Sequence, residues 1–373
     1  MPRVAFISDY TDSLNTVRPE GRLYVGLMRD HGWQVTLLTP AGGNYLDELS
    51  AAGAEIIDLK MSGKRDVGAR KQIADVLSRK EQAVDVLHLY NNRAIVNGIA
   101  ATRRAGFQGS LLTYRGYTGN IHWWDPTAYM KHLNPRVNGI SCVSPAVKEV
   151  FDKLPGGVGE RARVIGKGHE PGWYAGVSPL DLQAEFDIPG DKTVVVIVAN
   201  ARRMKGMQYL DAAVKSLSAG LKLHFLYVGR GLDTSATQSA FAASHYSDAV
   251  TFAGWRSDVL RILKAADISL LPSVKGEGLS KVLLESMFLG RATIMTDIGG
   301  NRHLGIHEAT CLVVPPRDPA ALAAALTQLG KDTVLRERLG PAGQAYVEEH
   351  YHADRTAAEL DAWYRELLNR RTG

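Results

Sequence analysis

The run Thr193 to Asn200, TVVVIVAN, is apolar without alternation. A strand of that kind is buried on both faces, which places it inside a parallel sheet covered by helices. The same signature recurs along the chain. Val4 to Ser8, Val35 to Leu38, Ala54 to Leu59, Asp85 to Tyr90, Ser110 to Arg115 and Gly139 to Ser144 read as strands in the first half. Leu223 to Gly229, Ala249 to Trp255, Asp267 to Ser273 and Ala292 to Ile298 do so in the second. Helical patterns separate them, for instance Val67 to Lys80 and Ile95 to Ala105. Strands alternating with helices of this length specify βαβ units and doubly wound parallel sheets.

At 373 residues the chain is too long for one ordinary domain. The stretch from Gly166 to Pro189 is rich in Gly and Pro with little periodicity and reads as the interdomain linker. Residues 1–170 then form one domain and 171–353 a second. A final helical pattern within 354–373 puts Leu360, Trp363, Tyr364 and Leu367 on one face.

Net charge is +5 from 44 basic and 39 acidic residues, too mild for a dedicated nucleic-acid binder. It suits an anionic substrate, a weak peripheral contact with an anionic membrane, or simply a solvated surface. Cys142 and Cys311 both lie in apolar strand-like runs and read as buried, reduced core residues, which implies a cytosolic setting. No clustered Cys or His argues for zinc. The N-terminal MPRVAFISDY enters a strand directly, so no signal peptide is expected, and no apolar run approaches a membrane span.

The stretch Lys275 to Asp297, KGEGLSKVLLESMFLGRATIMTD, combines strand end, Gly-rich loop, helix and strand. Gly276 and Gly278 flank Glu277 in a tight loop, Ser280 fits an N-cap, and Gly290 fits the helix stop. Glu285 follows inside the helix. In open parallel sheets ligands bind outside the carboxyl ends of the strands, where loop and helix N–H groups favour phosphate. A carboxylate there accepts hydrogen bonds from hydroxyls, so a phosphorylated polyhydroxyl ligand is indicated. The competing reading is an ordinary βαβ unit with two surface glutamates.

Other strand ends point to the same edge. TVVVIVAN ends in Ala201-Arg202-Arg203-Met204-Lys205 before a helix, and two or three cations beside helix N–H groups suit a diphosphate. Gly229-Arg230-Gly231 and Trp255-Arg256 close the neighbouring strands. In the first half, Ser8 to Gly21 reads as a loop that lacks GxGxxG, which disfavours a dinucleotide enzyme. Arg18 and Arg22 there suit either an anionic ligand or solvent. The loop from Tyr114 to Asn134 is dense in aromatic and polar residues, among them Arg115, His122, Trp123 and Trp124. Such loops line sugar sites because rings stack on apolar sugar faces. An aromatic patch packed beneath the loop is the alternative.

NARRMKG, VGRG, FAGWRSDV and EGLSKVLLESM, in this order and spacing, resemble the retaining glycosyltransferases of family four. Glu277 and Glu285 match that family's E-x7-E signature. The resemblance implies a GT-B fold, two Rossmann-like domains facing across a cleft, with the last helix returning to the N-terminal domain. It implies a nucleotide-diphosphate sugar donor, a glycan or lipid-linked acceptor, no cofactor and no essential metal. On that resemblance Arg202 and Lys205 would bind the diphosphate, and Glu277 would hold donor-sugar hydroxyls. Glu285 would bind the ribose. The amides of Gly278, Leu279 and Ser280 would approach sugar or phosphate. Trp255, Arg256 and the Gly229 tip would border the donor site. One departure stands out: the family's His after the fifth strand is replaced by Arg115, so its role falls to Arg115 or to His122. Arg18, His122, Trp123 and Trp124 would then lie on the acceptor side. The habits of the family point to bacterial cell-surface or lipopolysaccharide synthesis. A GT-B epimerase and a non-catalytic nucleotide-sugar-binding protein are the alternatives.

Overall fold

The structure is a computed structural model that describes residues 1–8, 14–42, 44–119 and 121–372, without the side chains of 14–18, 44, 371 and 372. The expectation for Arg18 therefore falls on a side chain outside the described residues.

Contacts divide the chain into two units, Met1–His169 with Tyr351–Gly373, and Glu170–His350. Unit 1 contains the strands β1 (Arg3–Ile7), β2 (Gln34–Thr39), β3 (Glu55–Asp58), β4 (Val86–Leu89), β5 (Ser110–Arg115), β6 (Gly139–Cys142) and β7 (Ala162–Val164). They pair in the order β3-β2-β1-β4-β5-β6-β7. Unit 2 contains β8 (Thr193–Val198), β9 (Leu223–Val228), β10 (Val250–Gly254), β11 (Ile268–Leu271), β12 (Ala292–Thr296) and β13 (Leu312–Val314), in the order β10-β9-β8-β11-β12-β13. Every pairing among them is parallel. The chain runs outward from β8 in one direction and from β11 in the other, so the strand order reverses between them. The same reversal occurs between β1 and β4. Such switch points leave a crevice at the C-terminal edge of a sheet.

The core of unit 1 is completed by the last helix, Ala353–Thr372. Its Leu360, Trp363, Tyr364 and Leu367 pack with Leu23, Tyr24 and Leu27 of the first helix and with Val4, Phe6 and Val86 of the sheet. The Trp33 indole donates to Asp361 at 2.7 Å, and Nδ1 of buried His88 shares a hydrogen bond with the Tyr364 hydroxyl at 2.6 Å. The chain leaves unit 1 beside the point where it returns: the His169 amide donates to the Tyr351 carbonyl at 2.7 Å, and the Ala353 amide to the His169 carbonyl at 3.0 Å.

Three sequence expectations are corrected. The first helix starts at Leu14, inside the stretch read as loop, with Pro19 within it. The region read as linker carries the short helices Gly172–Ala175 and Leu182–Phe186, and Tyr174 stacks on Phe288 at 4.9 Å. A tyrosine buried on the unit 2 core orders a segment whose composition suggested none. Arg22 is no solvated charge: its largely buried guanidinium pairs with Asp354 of the last helix. Cys142 and Cys311 are buried outside any disulfide, and burial pushes their thiols up to about 12 and about 11. Among the described residues no helix is long and apolar enough to cross a membrane.

Candidate functional site

The β8/β11 switch point gathers the charged residues of unit 2. After β8 the chain makes a single turn, Arg203–Lys205, and enters the helix Met207–Ser216. After β11 it runs through residues 272–280 into the helix Lys281–Phe288. The two loops are joined by the Val274 amide, which donates to the Met204 carbonyl at 2.8 Å. Gly206 makes this approach possible. It has φ +73°, and a Cβ there would lie 2.0 Å from the Pro272 carbonyl oxygen.

Lys205 Nζ meets Glu277 Oε1 at 2.6 Å across the crevice. The Ser273 hydroxyl donates to the same oxygen at 2.8 Å. Thr296, at the end of β12, donates to the Ser273 carbonyl at 2.5 Å and holds that residue in turn. Glu277 is 8% exposed, so its charge is met by a cation and a hydroxyl rather than by bulk water. The loop is supported from below by Gly300, whose amide donates to the Glu277 carbonyl at 3.1 Å. A Cβ on Gly300 would lie 1.6 Å from the Gly278 carbonyl oxygen.

Glu285 sits within the helix, 9% exposed, with Lys281 one turn back at 3.4 Å. The two glutamates thus face different cations. Ser280 has N-cap dihedrals, φ −78° and ψ 108°, without a side-chain capping bond. Ser280 and Gly278 are buried, Leu279 is half-buried, and Arg202 is exposed.

The neighbouring strand ends are built differently. The Gly229 amide donates to the Gly254 carbonyl at 2.7 Å, and the Arg230 amide donates to Asn200 Oδ1 at 3.2 Å. The exposed Trp255 lies under the Arg230 guanidinium at 5.7 Å. Arg256 pairs with Glu185 at 2.7 Å and Asp258 at 2.8 Å and covers the Phe186 ring. Those two carboxylates hold its guanidinium well above the usual range. Its side chain thereby fastens the β10 end to the helix Leu182–Phe186, and only its backbone is left to border a ligand.

In unit 1, Arg115 is 3% exposed. Its guanidinium donates to the Tyr117 carbonyl at 3.0 Å and to the Gly119 carbonyl, and stacks on the Tyr117 ring at 3.5 Å. It folds the aromatic loop rather than facing solvent. His122 and Trp124 stack at 4.8 Å with 6° between planes, and His122, Trp123 and Trp124 are all exposed. The sequence reading missed Ser273, Thr296 and Gly300 as supports of Glu277. Only the chain reversal at the switch point brings them beneath it, and short-range spacing carries no such signal.

The fold defines the class: two units, each a parallel Rossmann-like sheet wrapped by helices, with the GT-B architecture of glycosyltransferases. The structure of Anabaena Alr3699/HepE in complex with UDP superposes with a TM-score of 0.76 at 15% identity, covering 98% of this chain and 100% of that one. Residues 192–332, a stretch that holds the whole switch-point site, match the family described as Glycosyl transferases group 1. The chain is also similar to the lipopolysaccharide core biosynthesis glycosyltransferase LpsD of Rhizobium meliloti, 29% identical over 52% of this chain and 55% of that protein. It is similar to N-acetyl-alpha-D-glucosaminyl L-malate synthase of Bacillus anthracis, 26% identical over 50% of this chain and 49% of that protein. The chain thus spans about half the length of these curated relatives.

Proposed function

We propose that the chain is a retaining glycosyltransferase that moves a sugar from a nucleotide-diphosphate donor to a glycan or lipid-linked acceptor. The observation that carries the reading is the Lys205–Glu277 pair at the β8/β11 switch point. In transfer, the bond from the sugar C1 to the diphosphate oxygen breaks and negative charge develops on the leaving group. Fixed cations aimed at that charge lower the barrier. Lys205 and Arg202, at the end of β8, are the groups to supply them. Glu277, once its lysine turns toward phosphate, presents a carboxylate to the donor-sugar hydroxyls. Glu285 is assigned to the ribose, and the amides of Gly278, Leu279 and Ser280 to the sugar or phosphate. The acceptor oxygen attacks on the face the diphosphate leaves, and its proton passes to a phosphate oxygen.

The similarity to a lipopolysaccharide core glycosyltransferase supports a place in cell-surface glycan synthesis, in the cytosol or at the cytoplasmic face of a membrane. The UDP held by the Anabaena protein makes UDP-sugars the first donors to try, before GDP-sugars. We place metal independence within the same proposal. One observation favours a second reading, a nucleotide-sugar-binding protein without transfer: Arg115 is held by its own loop and stands where the resemblance expects a His that contacts the donor sugar.

Calorimetry with UDP- and GDP-sugars, followed by donor hydrolysis, tests both. We expect binding of one donor class, measurable turnover, and a loss of roughly 100-fold in turnover for Lys205→Met and Glu277→Ala. Tight binding with no turnover toward water or any acceptor would favour the binding protein. A Glu277→Ala variant that binds and hydrolyses like the parent would overturn the site assignment.

A further inference from the structure

The Glu277 carboxylate is bonded on one oxygen only. Lys205 Nζ and the Ser273 hydroxyl both meet Oε1, at 2.6 Å and 2.8 Å. Oε2 accepts no hydrogen bond among the described residues. The residue is 8% exposed, so bulk water barely reaches it. A carboxylate has about four acceptor positions, and a largely buried one that leaves a whole oxygen open calls for a further donor.

The two donors on Oε1 differ in how firmly they are placed. Lys205 reaches it on a flexible four-carbon stem and is the cation that a diphosphate would draw away. Ser273 is fully buried and has a single side-chain torsion to its hydroxyl oxygen. Its main chain is fixed from several directions. The Thr296 hydroxyl donates to its carbonyl, the Val274 amide donates to the Met204 carbonyl at 2.8 Å, and the Pro272 carbonyl packs on Gly206. The Ser273 hydroxyl therefore stays in place whichever way the lysine turns. With that donor on Oε1, the carboxylate keeps its orientation, and Oε2 keeps its position. Without it, the last torsion of the glutamate is broad and two-fold, and nothing else holds it.

We propose that Ser273 is a positioning residue for the donor sugar: its hydroxyl anchors Glu277 Oε1, so that Oε2 accepts from a sugar hydroxyl while Lys205 turns to the diphosphate. The proposal rests on the donor-site reading above. Thr296 extends it by one link, because its hydroxyl sets the Ser273 main chain. A free nucleoside diphosphate brings no sugar to Glu277, and the Ser273–Glu277 bond is the same before and after it binds. The role therefore splits the two ligands: the sugar-bearing donor depends on Ser273, and the nucleoside diphosphate does not. A serine that only braced its loop would weaken both alike.

The test uses the full chain. UDP-glucose, UDP-galactose, UDP-N-acetylglucosamine and GDP-mannose are followed by hydrolysis, and UDP and GDP by calorimetry. For the donor that the parent protein uses, Ser273→Ala should lower kcat/KM by roughly tenfold or more, the effect of losing a hydrogen bond to a charged group. Affinity for the matching nucleoside diphosphate should stay within about twofold of the parent. Thr296→Ser, which keeps the hydroxyl, should retain turnover, and Thr296→Val, which removes it, should not. This second pair decides the matter if Ser273→Ala fails to fold. Parental turnover in Ser273→Ala overturns the proposal. So does an equal loss for donor and nucleoside diphosphate, or equal turnover in the two Thr296 variants. A parent protein that binds none of these ligands overturns the donor-site reading itself and the proposal with it, and that outcome is visible before any variant is made.

Discussion

Asp211 shows what a single unsatisfied oxygen does. It lies on the helix Met207–Ser216, 9% exposed, with Oδ2 accepting from the Thr237 hydroxyl at 3.3 Å and Oδ1 without a partner. Burial pushes its carboxyl up to about 6. The folded state therefore favours the protonated form. That stabilisation is complete below the ordinary carboxylate range near pH 4 and is lost as pH rises through about 6. Asp211→Asn should stabilise unit 2 at pH 8 by about 1–2 kcal/mol and flatten the dependence between pH 4 and 6. Thermal midpoints of both proteins at pH 5 and pH 8 measure this, and an unaltered pH slope would refute it. Residues of this kind divide what could be read in advance from what could not. Glu277 and Lys205 were legible because glycines and cations cluster at the ends of recognisable strands. Asp211 was not, because its meaning comes from neighbours distant in sequence.

At the scale of elements, the loops at the β8/β11 switch point are held by backbone contacts too close for a side chain. Gly300→Ala must push the 276–280 loop away, because the atom met is a backbone carbonyl. Displacement of Glu277 by about 1 Å is enough to lower turnover by roughly 100-fold. The expected result is that loss in donor turnover with the unit 2 melting temperature lowered by only a few degrees. Retained turnover would mean that the loop adapts and that its rigidity is not required. Strands were the most legible elements, since continuous apolar runs leave a parallel sheet as their natural home. The helix Thr333–His350 carries a weaker signal. Several of its buried positions are Gly340, Gly343 and Leu339, and Pro341 lies within it. Gly340 packs directly on the Gly290 backbone, so close approach of main chains replaces the large apolar face that marks a helix in sequence.

At the scale of the molecule, the two units differ in their response to acid. His88 and His132 are fully buried in unit 1, and burial holds each down to about 3. Unfolding lets both take up a proton near pH 6.5, so the stability present above that pH is lost as pH falls toward 3. Between pH 7 and pH 5 the two together should cost unit 1 on the order of 3–4 kcal/mol. Unit 2 has one comparable group, His224 at about 4, opposed by the gain at Asp211. Scanning calorimetry should show two transitions whose separation changes on acidification, with the one belonging to unit 1 falling further. Trp363→Ala, which removes a ring from the unit 1 core, should lower that same transition by about 3–5 kcal/mol and leave the other in place. A single transition moving as a whole in both experiments would contradict this division. The doubly wound sheets were legible from the alternation of elements. The chain's return to unit 1 was suggested by the apolar face of Leu360, Trp363, Tyr364 and Leu367, while the packed segment around Tyr174 was hidden by its glycines and prolines.

The hydrogen bonds joining His169 to Tyr351 and Ala353 carry a consequence for biosynthesis. Unit 2 is threaded as an insertion, and the helix that completes unit 1 emerges from the ribosome after all of it. Domains ordinarily fold in the order in which they are made. Here the first half waits: a nascent chain arrested after His350 should protect unit 2 from protease while β1 to β7 remain susceptible, and release of Tyr351 onward should close the unit begun first.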